Sequence, residues 1–197
     1  MPASRSRLFT PNWPIKTKRL LLRPFEAGDL DALHEIHSDE SVARYLYNGP
    51  RTHQEVRELL GRKTTGSALQ AEGQWLSAAV ELRDSGDLIG DVSLRWASEL
   101  HRQGEIGFIF HPAHHGQGYA TEAARPLLAF AFETVGLHRV VGRTEARNVG
   151  SVRVLEKLGM RREAHFVENE WVKGEWQSEV VYAMLAREWT DSSSQLG

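Results

Sequence analysis

Cysteine is absent from the 197 residues. That absence excludes disulfides, thiolate metal centres and an acyl-cysteine intermediate together. No apolar run approaches the length needed to cross a membrane, and the basic opening "MPASRSRLFTPNWPIKTKRL" has no apolar stretch behind it that would make it a signal peptide. An excess of one charge is lacking as well: 24 Lys and Arg stand against 26 Asp and Glu, a formal net charge of −2. Without a broad field to draw nucleic acid or an anionic membrane, any bound anion must be held by local geometry. The expectation is a cytoplasmic protein with neither nucleic acid nor membrane as a partner. What is present is ordinary, with 41% hydrophobic and 25% charged residues, enough for one substantial core.

Patterning along the chain alternates strands with helices. Residues 1–15 mix Ser, Pro and Arg and read as an N-terminal arm or strap. "RLLLRPF" is a strand stopped by Pro24, with Arg19 and Arg23 on its surface. Leu30, Leu33, Ile36 and His37 have helical spacing behind Asp29 as N-cap, and Thr52 with Glu55 forms a capping box for a second helix. "QWLSAAVEL" and "LIGDVSLRW" are two strands joined by the hairpin loop "RDSGD". In "GEIGFIF", Ile106, Phe108 and Phe110 share one face, and Glu105, Gly107 and Ile109 the other. A helix from about Ala120 to Val135 follows, then the strand "HRVVGRTEA" and a helix opened by Asn148 and stopped by Gly159. A late hairpin ends in an apolar strand around Val180 to Leu185, and residues 190–197 form a polar tail. No repeat or linker divides residues 16–189, so the chain reads as one α/β (α+β) domain, a mixed sheet with helices on its faces.

The join between "GEIGFIF" and the next helix carries chemistry. Gly116 and Gly118 accept backbone angles closed to other residues and let a ligand approach the main chain, while the helix start offers unpaired N–H groups and the positive end of its dipole. Phosphate is the natural guest. A strand that merely turns into a helix would also use glycine here. Gly-Lys-Ser/Thr is missing, so this is not a P-loop. The strand enters from an antiparallel hairpin rather than opening a βαβ unit, which argues against a dinucleotide fold. His111, His114 and His115 suggest a metal, but Pro112 keeps them off one helix and no cysteine or nearby carboxylate completes a set, so no metal is expected.

"HHGQGYATEAARPLLAFAF", followed by "HRVVGRTEARNVGSVRVLEKLGMRREA", resembles the GNAT superfamily of N-acetyltransferases. "TKRLLLRPFEAGDL" and "IGFIFHPAHHGQGYATEA" resemble its ribosomal-protein N-terminal acetyltransferase branch, the RimJ/RimL-like group. The similarity spans about Lys16 to Trp189. It implies the GNAT fold, a mostly antiparallel mixed sheet of about six or seven strands flanked by about four helices. It also implies acetyl-coenzyme A as co-substrate. The family's pyrophosphate motif falls on His115, Gly118 and Ala120, with His115 where Gln or Arg is usual. By this resemblance, main-chain amides over His115, Gly116, Gln117, Gly118, Tyr119 and Ala120, with Thr121 beside them, grip the pyrophosphate, while pantetheine lies along Phe108, Ile109 and Phe110. A homodimer is common among related proteins.

Acetyl transfer from a thioester to an amine needs a deprotonated amine, donors for the developing oxyanion and a proton for the departing thiolate. An α-amine, with pKa about 8, loses its proton more easily than a lysine at about 10.4. Glu105 is the first choice for base because it lies on the strand beside the groove, although a strand glutamate can equally face solvent; Glu170 is second. The resemblance places the oxyanion donor at the N–H of Ile109 or Phe110. It turns Asn148 and Ser151 toward the cofactor near its sulfur, with Ser151 able to protonate the thiolate, though both also satisfy the start of their helix unaided. Many relatives carry a tyrosine further along that helix, where this chain has Val154, Leu155 and Glu156. Trp75, Trp96, Phe108 and Phe110 read as core-strand residues. The reaction expected is direct transfer from acetyl-CoA to a primary amine, a protein N-terminus or a small molecule. The alternative is an inactive acyl-CoA-binding sensor of the same fold.

Overall fold

The computed structural model describes residues 7–193. Eight strands form one sheet in the order β1-β2-β3-β4-β5-β6-β8-β7. They are β1 (Ile15–Lys16), β2 (Leu20–Arg23), β3 (Trp75–Leu82), β4 (Leu88–Ser98), β5 (Gln103–Phe110), β6 (Arg139–Glu145), β7 (Arg161–Val172) and β8 (Glu175–Leu185). Every neighbouring pair is antiparallel except β5 and β6. The helices are α1 (Leu30–Ser38), α2 (Glu40–Ala43), α3 (His53–Thr65), α4 (Tyr119–Ala129), α5 (Val149–Lys157) and α6 (Ala186–Ser193). The sheet therefore exceeds the expected six or seven strands by the two-residue β1, too short to register as a pattern. Short α2 and terminal α6 are the helices beyond the expected four.

Strand alternation divides the core in two. Leu76, Ala78 and Val80 of β3, with Val92 and Leu94 of β4, pack under Ala123, Ala124, Leu127 and Leu128 of α4 and Leu155 of α5. Ala79, on the opposite face, packs with Leu33 of α1 and with Val56 and Leu60 of α3. The α3 capping box forms as its sequence indicates, with Thr52 accepting from the Glu55 N–H and the Glu55 carboxylate accepting from the Thr52 N–H. Asn148 likewise accepts from the Ser151 N–H at 3.1 Å, and Gly159 ends α5 with φ +86. After Pro126, α4 finishes in a wider turn over Phe130–Thr134, where the Val135 N–H donates to the Phe130 carbonyl five residues back.

Four expectations are corrected. Asp29 makes no side-chain cap on α1, because a tight helical turn over Ala27–Asp29 already precedes that helix. Its carboxylate, 6% exposed, turns back to accept from the Glu26 N–H and from Arg23. Arg23 is accordingly no free surface residue: it bridges Asp29 at 2.6 Å and Glu81 at 2.7 Å. Arg19 pairs with Glu122 at 2.7 Å, tying the start of β2 to the first turn of α4. β5, α4 and β6 do make a parallel βαβ unit, although β5 also pairs antiparallel with β4. Finally, the region from residue 190 is not all tail, since α6 runs to Ser193 and stacks Trp189 on Phe132 at 6.0 Å between ring centroids; residues 194–197 lie outside the described residues. Part of the N-terminal arm, residues 1–6, also lies outside them, while Phe9 bridges to Leu69 as a strap would. Among the described residues, no helix is long and apolar enough to cross a membrane.

Candidate active site

The site begins where the sheet stops being continuous. β5 and β6 pair only over Gln103–Glu105 and Arg139–Val141. Beyond Glu105 the two strands part, and the rest of β5 faces an open wedge. The ladder to β4 fixes which main-chain groups enter it. Phe110 faces Gly90, and the His111 N–H donates to the Ile89 carbonyl at 2.9 Å. By antiparallel alternation the N–H groups of Ile109 and Gly107 therefore point to β4, and those of Phe108 and Phe110 point into the wedge. Of the two expected oxyanion donors, the Ile109 N–H is spent in the sheet; Phe110 remains, joined by Phe108.

At the mouth of the wedge lies the glycine turn. Gly116 has φ +74 and Gly118 φ +83, left-handed values that a side chain resists. The first helical hydrogen bond of α4 is from the Glu122 N–H to the Gly118 carbonyl at 3.0 Å, so the N–H groups of Tyr119, Ala120 and Thr121 have no helical acceptor. No side chain caps this end. Thr121 adds a hydroxyl that is buried without a hydrogen-bond partner. His115, in place of the usual Gln or Arg, turns inward: its Nε2 donates to the Phe110 carbonyl at 2.8 Å, clamping the turn to the strand end. Gln117 is held off the cavity wall, its side chain donating to Ala113 and its carbonyl accepting from Arg19. Glu122 keeps its charge although burial opposes it, because hydrogen bonds from Thr17 and from the main chain and guanidinium of Arg19 hold its pKa below the usual value.

A cavity of 930 Å³ runs from this turn through the wedge. Phe108, Ile109, Phe110, His115, Gly116, Gly118, Tyr119, Ala120, Thr121, Asn148 and Ser151 all line it, as does Glu105. The fit to a phosphorylated, pantetheine-bearing ligand rests on three features: free helix-start amides, an orphaned buried hydroxyl at Thr121, and two strand N–H groups without a ladder partner.

The far end of the cavity opens on the face covered by α1 and α3, where the sheet floor is polar. Asp91, Ser93 and Arg95 of β4 stand opposite Ile109, Gly107 and Glu105 of β5. Asp91 is 2% exposed and bonds Lys63 of α3 at 2.8 Å. His37 lies 4.0 Å from its other oxygen, and burial holds that histidine below its ordinary pKa despite the attraction of Asp91. Glu105 has no hydrogen-bond partner among the described residues. Burial raises its pKa, and Arg143 and Arg95 pull it back only partly. Glu170 accepts from the Tyr47 hydroxyl at 2.8 Å; burial, then that carboxylate, pushes the tyrosine up to about 12. Nearby, Lys173 at the tip of the β7–β8 hairpin donates to the Ala43 and Arg44 carbonyls, latching the hairpin to the end of α2.

Sequence patterning therefore singled out the residues around the glycine turn and the wedge and missed much of the polar chamber. Asp91, Arg95, Tyr47, Lys63 and Arg143 went unnoticed. The one available signal was "LIGDVSLRW", whose polar positions alternate as on any strand with a solvent face; helices cover that face here. Trp96 and Phe110 are core residues as expected, whereas Trp75 is 42% exposed at the cavity rim. The three loop histidines part company: besides His115, His111 accepts from the Ala113 N–H and His114 packs edgewise on Tyr119.

A sheet split at its one parallel pair, with a glycine-turned helix start at the mouth of the split, leaves a cavity between the strands large enough for a long phosphorylated ligand. The model of the acetyltransferase (GNAT) domain matches residues 19–161. YnaD of Bacillus subtilis (strain 168), described as an uncharacterized N-acetyltransferase, is 35% identical over 175 residues, 89% of this chain and 98% of its own. A GNAT-family acetyltransferase crystal structure from Bacillus anthracis has a TM-score of 0.79 at 34% identity, covering 88% of this chain and 99% of that one. Spermidine N-acetyltransferase from Vibrio cholerae, crystallised in complex with CoA and spermine, has a TM-score of 0.74 at 26% identity over 88% of this chain and 99% of its own. The chain belongs to the GNAT family of acetyltransferases and is an acetyl-CoA-dependent N-acetyltransferase.

Proposed function

We propose that this chain transfers the acetyl group of acetyl-CoA directly to a primary amine while both substrates are bound, with no covalent enzyme intermediate. The observation that carries the reading is the wedge. It joins the glycine turn on one side of the sheet to a polar chamber on the other, which supports a meeting of thioester and amine at the parting of β5 and β6. Acetyl-CoA supplies the activated acyl group. The amides from Gly116 to Thr121, with the Thr121 hydroxyl, hold its diphosphate, and Asn148 and Ser151 stand beside the wedge near the sulfur. The Phe108 and Phe110 N–H groups are the donors for the oxyanion.

Glu105 is the base. Its burial and unpaired state give a carboxylate whose raised pKa lies closer to neutrality, where it takes a proton from an ammonium more readily, directly or through one water. Ser151 delivers the proton to the departing thiolate. The acceptor is an amine of a protein N-terminus or of a small molecule, and the likeness of "TKRLLLRPFEAGDL" to ribosomal-protein acetyltransferases keeps the first of these in play. A cytoplasmic location suits this co-substrate.

Thiol release, followed across a panel of amines with mass spectrometry of the products, tests the reading. Acetylation of at least one amine is expected. Tight binding of coenzyme A with no turnover on any acceptor would instead identify a sensor.

A further inference from the structure

Next to the main cavity lies a second chamber of 760 Å³, which shares Tyr47, Glu105, Arg143, Glu170 and Glu179 with it. Its basic residues are not equivalent. Arg139 is committed to Glu163, and Arg143 to Glu179 at 2.9 Å. Arg95 forms no ion pair among the described residues, and its Nε is buried without a hydrogen-bond partner. It stands directly opposite Glu105 across the β4–β5 ladder, and yet the two do not pair. Apart from its packing 5.9 Å over the Trp75 ring and its through-space attraction to Glu105, its guanidinium makes no hydrogen bond or ion pair among the described residues.

A carboxylate and a guanidinium, side by side and partly desolvated, attract each other through space but neither is in hydrogen-bonded contact with an opposite charge. A ligand carrying an ammonium and a carboxylate satisfies both at once. Adjacent strands lie about 5 Å apart, so the two charges of the ligand must be close together. A polyamine offers only cations, which Arg95 repels. A peptide N-terminus offers an amine, but an uncharged amide where the carboxylate would be.

Resting on the acetyl-transfer reading of the same site, we propose that the acceptor is a small α-amino acid, its amine beside Glu105 and its carboxylate held by the Arg95 fork. Arg95 then determines specificity and takes no part in the proton transfers.

Three pools separate the possibilities: the free amino acids, the same amino acids as C-terminal amides, and polyamines. The wild-type protein is expected to acetylate the free acids at least ten times more efficiently, in kcat/KM, than the amides or the polyamines. Arg95→Gln should bring the acid-to-amide ratio close to one, chiefly through KM, with Arg95→Lys between the two. Because each ratio is measured within one variant, a loss of folded protein cancels. Equal or better use of amides or polyamines by the wild type, or an unchanged ratio in Arg95→Gln, overturns the proposal. If none of these pools is turned over while another amine is, acetyl transfer stands and the amino-acid proposal falls; if no amine at all is turned over, acetyl transfer fails as a reading. Calorimetric titration of the acid and amide pools onto the protein with coenzyme A then decides the Arg95 assignment by itself, and absence of acid-selective binding refutes it.

Discussion

Two ionisable residues of the polar chamber, half-buried Glu105 and buried His37, have pKa values displaced by desolvation in opposite directions. Glu105 is raised by burial, so its base form is lost on acidification sooner than that of an exposed glutamate. Glu105→Gln should cut turnover about 100-fold near neutral pH and far less at alkaline pH, where the amine is already deprotonated; a pH–rate profile parallel to the wild type would remove Glu105 from the role of base. His37 is lowered from 6.5 by burial, which outweighs the attraction of Asp91, while Lys63 and Arg51 add smaller repulsions. The unfolded chain therefore takes up a proton before the folded one does. Stability is full above pH 6.5 and falls as the pH drops below that value toward the folded pKa. His37→Leu should flatten this part of the melting-temperature profile, and an unaltered slope would show that His37 does not set it.

At the level of elements, α4 and the turn before it form the mouth of the wedge, and Gly118 is their least tolerant position. A Cβ there would meet only the Arg19 guanidinium, at 3.6 Å, so space is not the obstacle; φ +83 is. Gly118→Val should cost about 1–2 kcal/mol of stability and abolish coenzyme A binding in calorimetry while the protein stays folded. Retained affinity would contradict the main-chain cradle. This turn was legible in sequence because glycine spacing before an amphipathic run reports backbone geometry directly. The capping box of Thr52 and Glu55 and the Asn148 cap were legible for the same reason, being local. Asp29 misled because the tight turn over Ala27–Asp29 carries its carboxylate back to the Glu26 N–H and to Arg23, a use that a helix-start pattern does not distinguish from a cap. The parallel pairing of β5 and β6 was hidden too, since a strand with different neighbours on its two edges shows one alternation only. In the same way α6 escaped notice: its polar composition conceals that Trp189 docks on Phe132 and bonds Glu133 at 2.8 Å.

The whole molecule is a sheet with an apolar face under α4 and α5 and a partly polar face under α1 and α3, cut through by the wedge. Binary patterning reads the first face as core and the second as surface, which is why the residues of the glycine turn and wedge were legible and those of the polar chamber were not. Buried Asp91, Lys63 and His37 become intelligible only once helices close over them, and the pairing state of Arg95 and Glu105 only once strand register is known. The 930 Å³ cavity crosses from one face to the other. On the proposed reading, the two substrates enter from opposite faces and meet in that passage.

A crystal structure with coenzyme A bound tests this most directly. The account predicts the diphosphate against the amides of Gly116 to Thr121 and pantetheine in the wedge, hydrogen-bonded to the main chain of Phe108 and Phe110. Coenzyme A seated elsewhere, with β5 and β6 paired beyond Glu105 and the glycine turn unengaged, would contradict it.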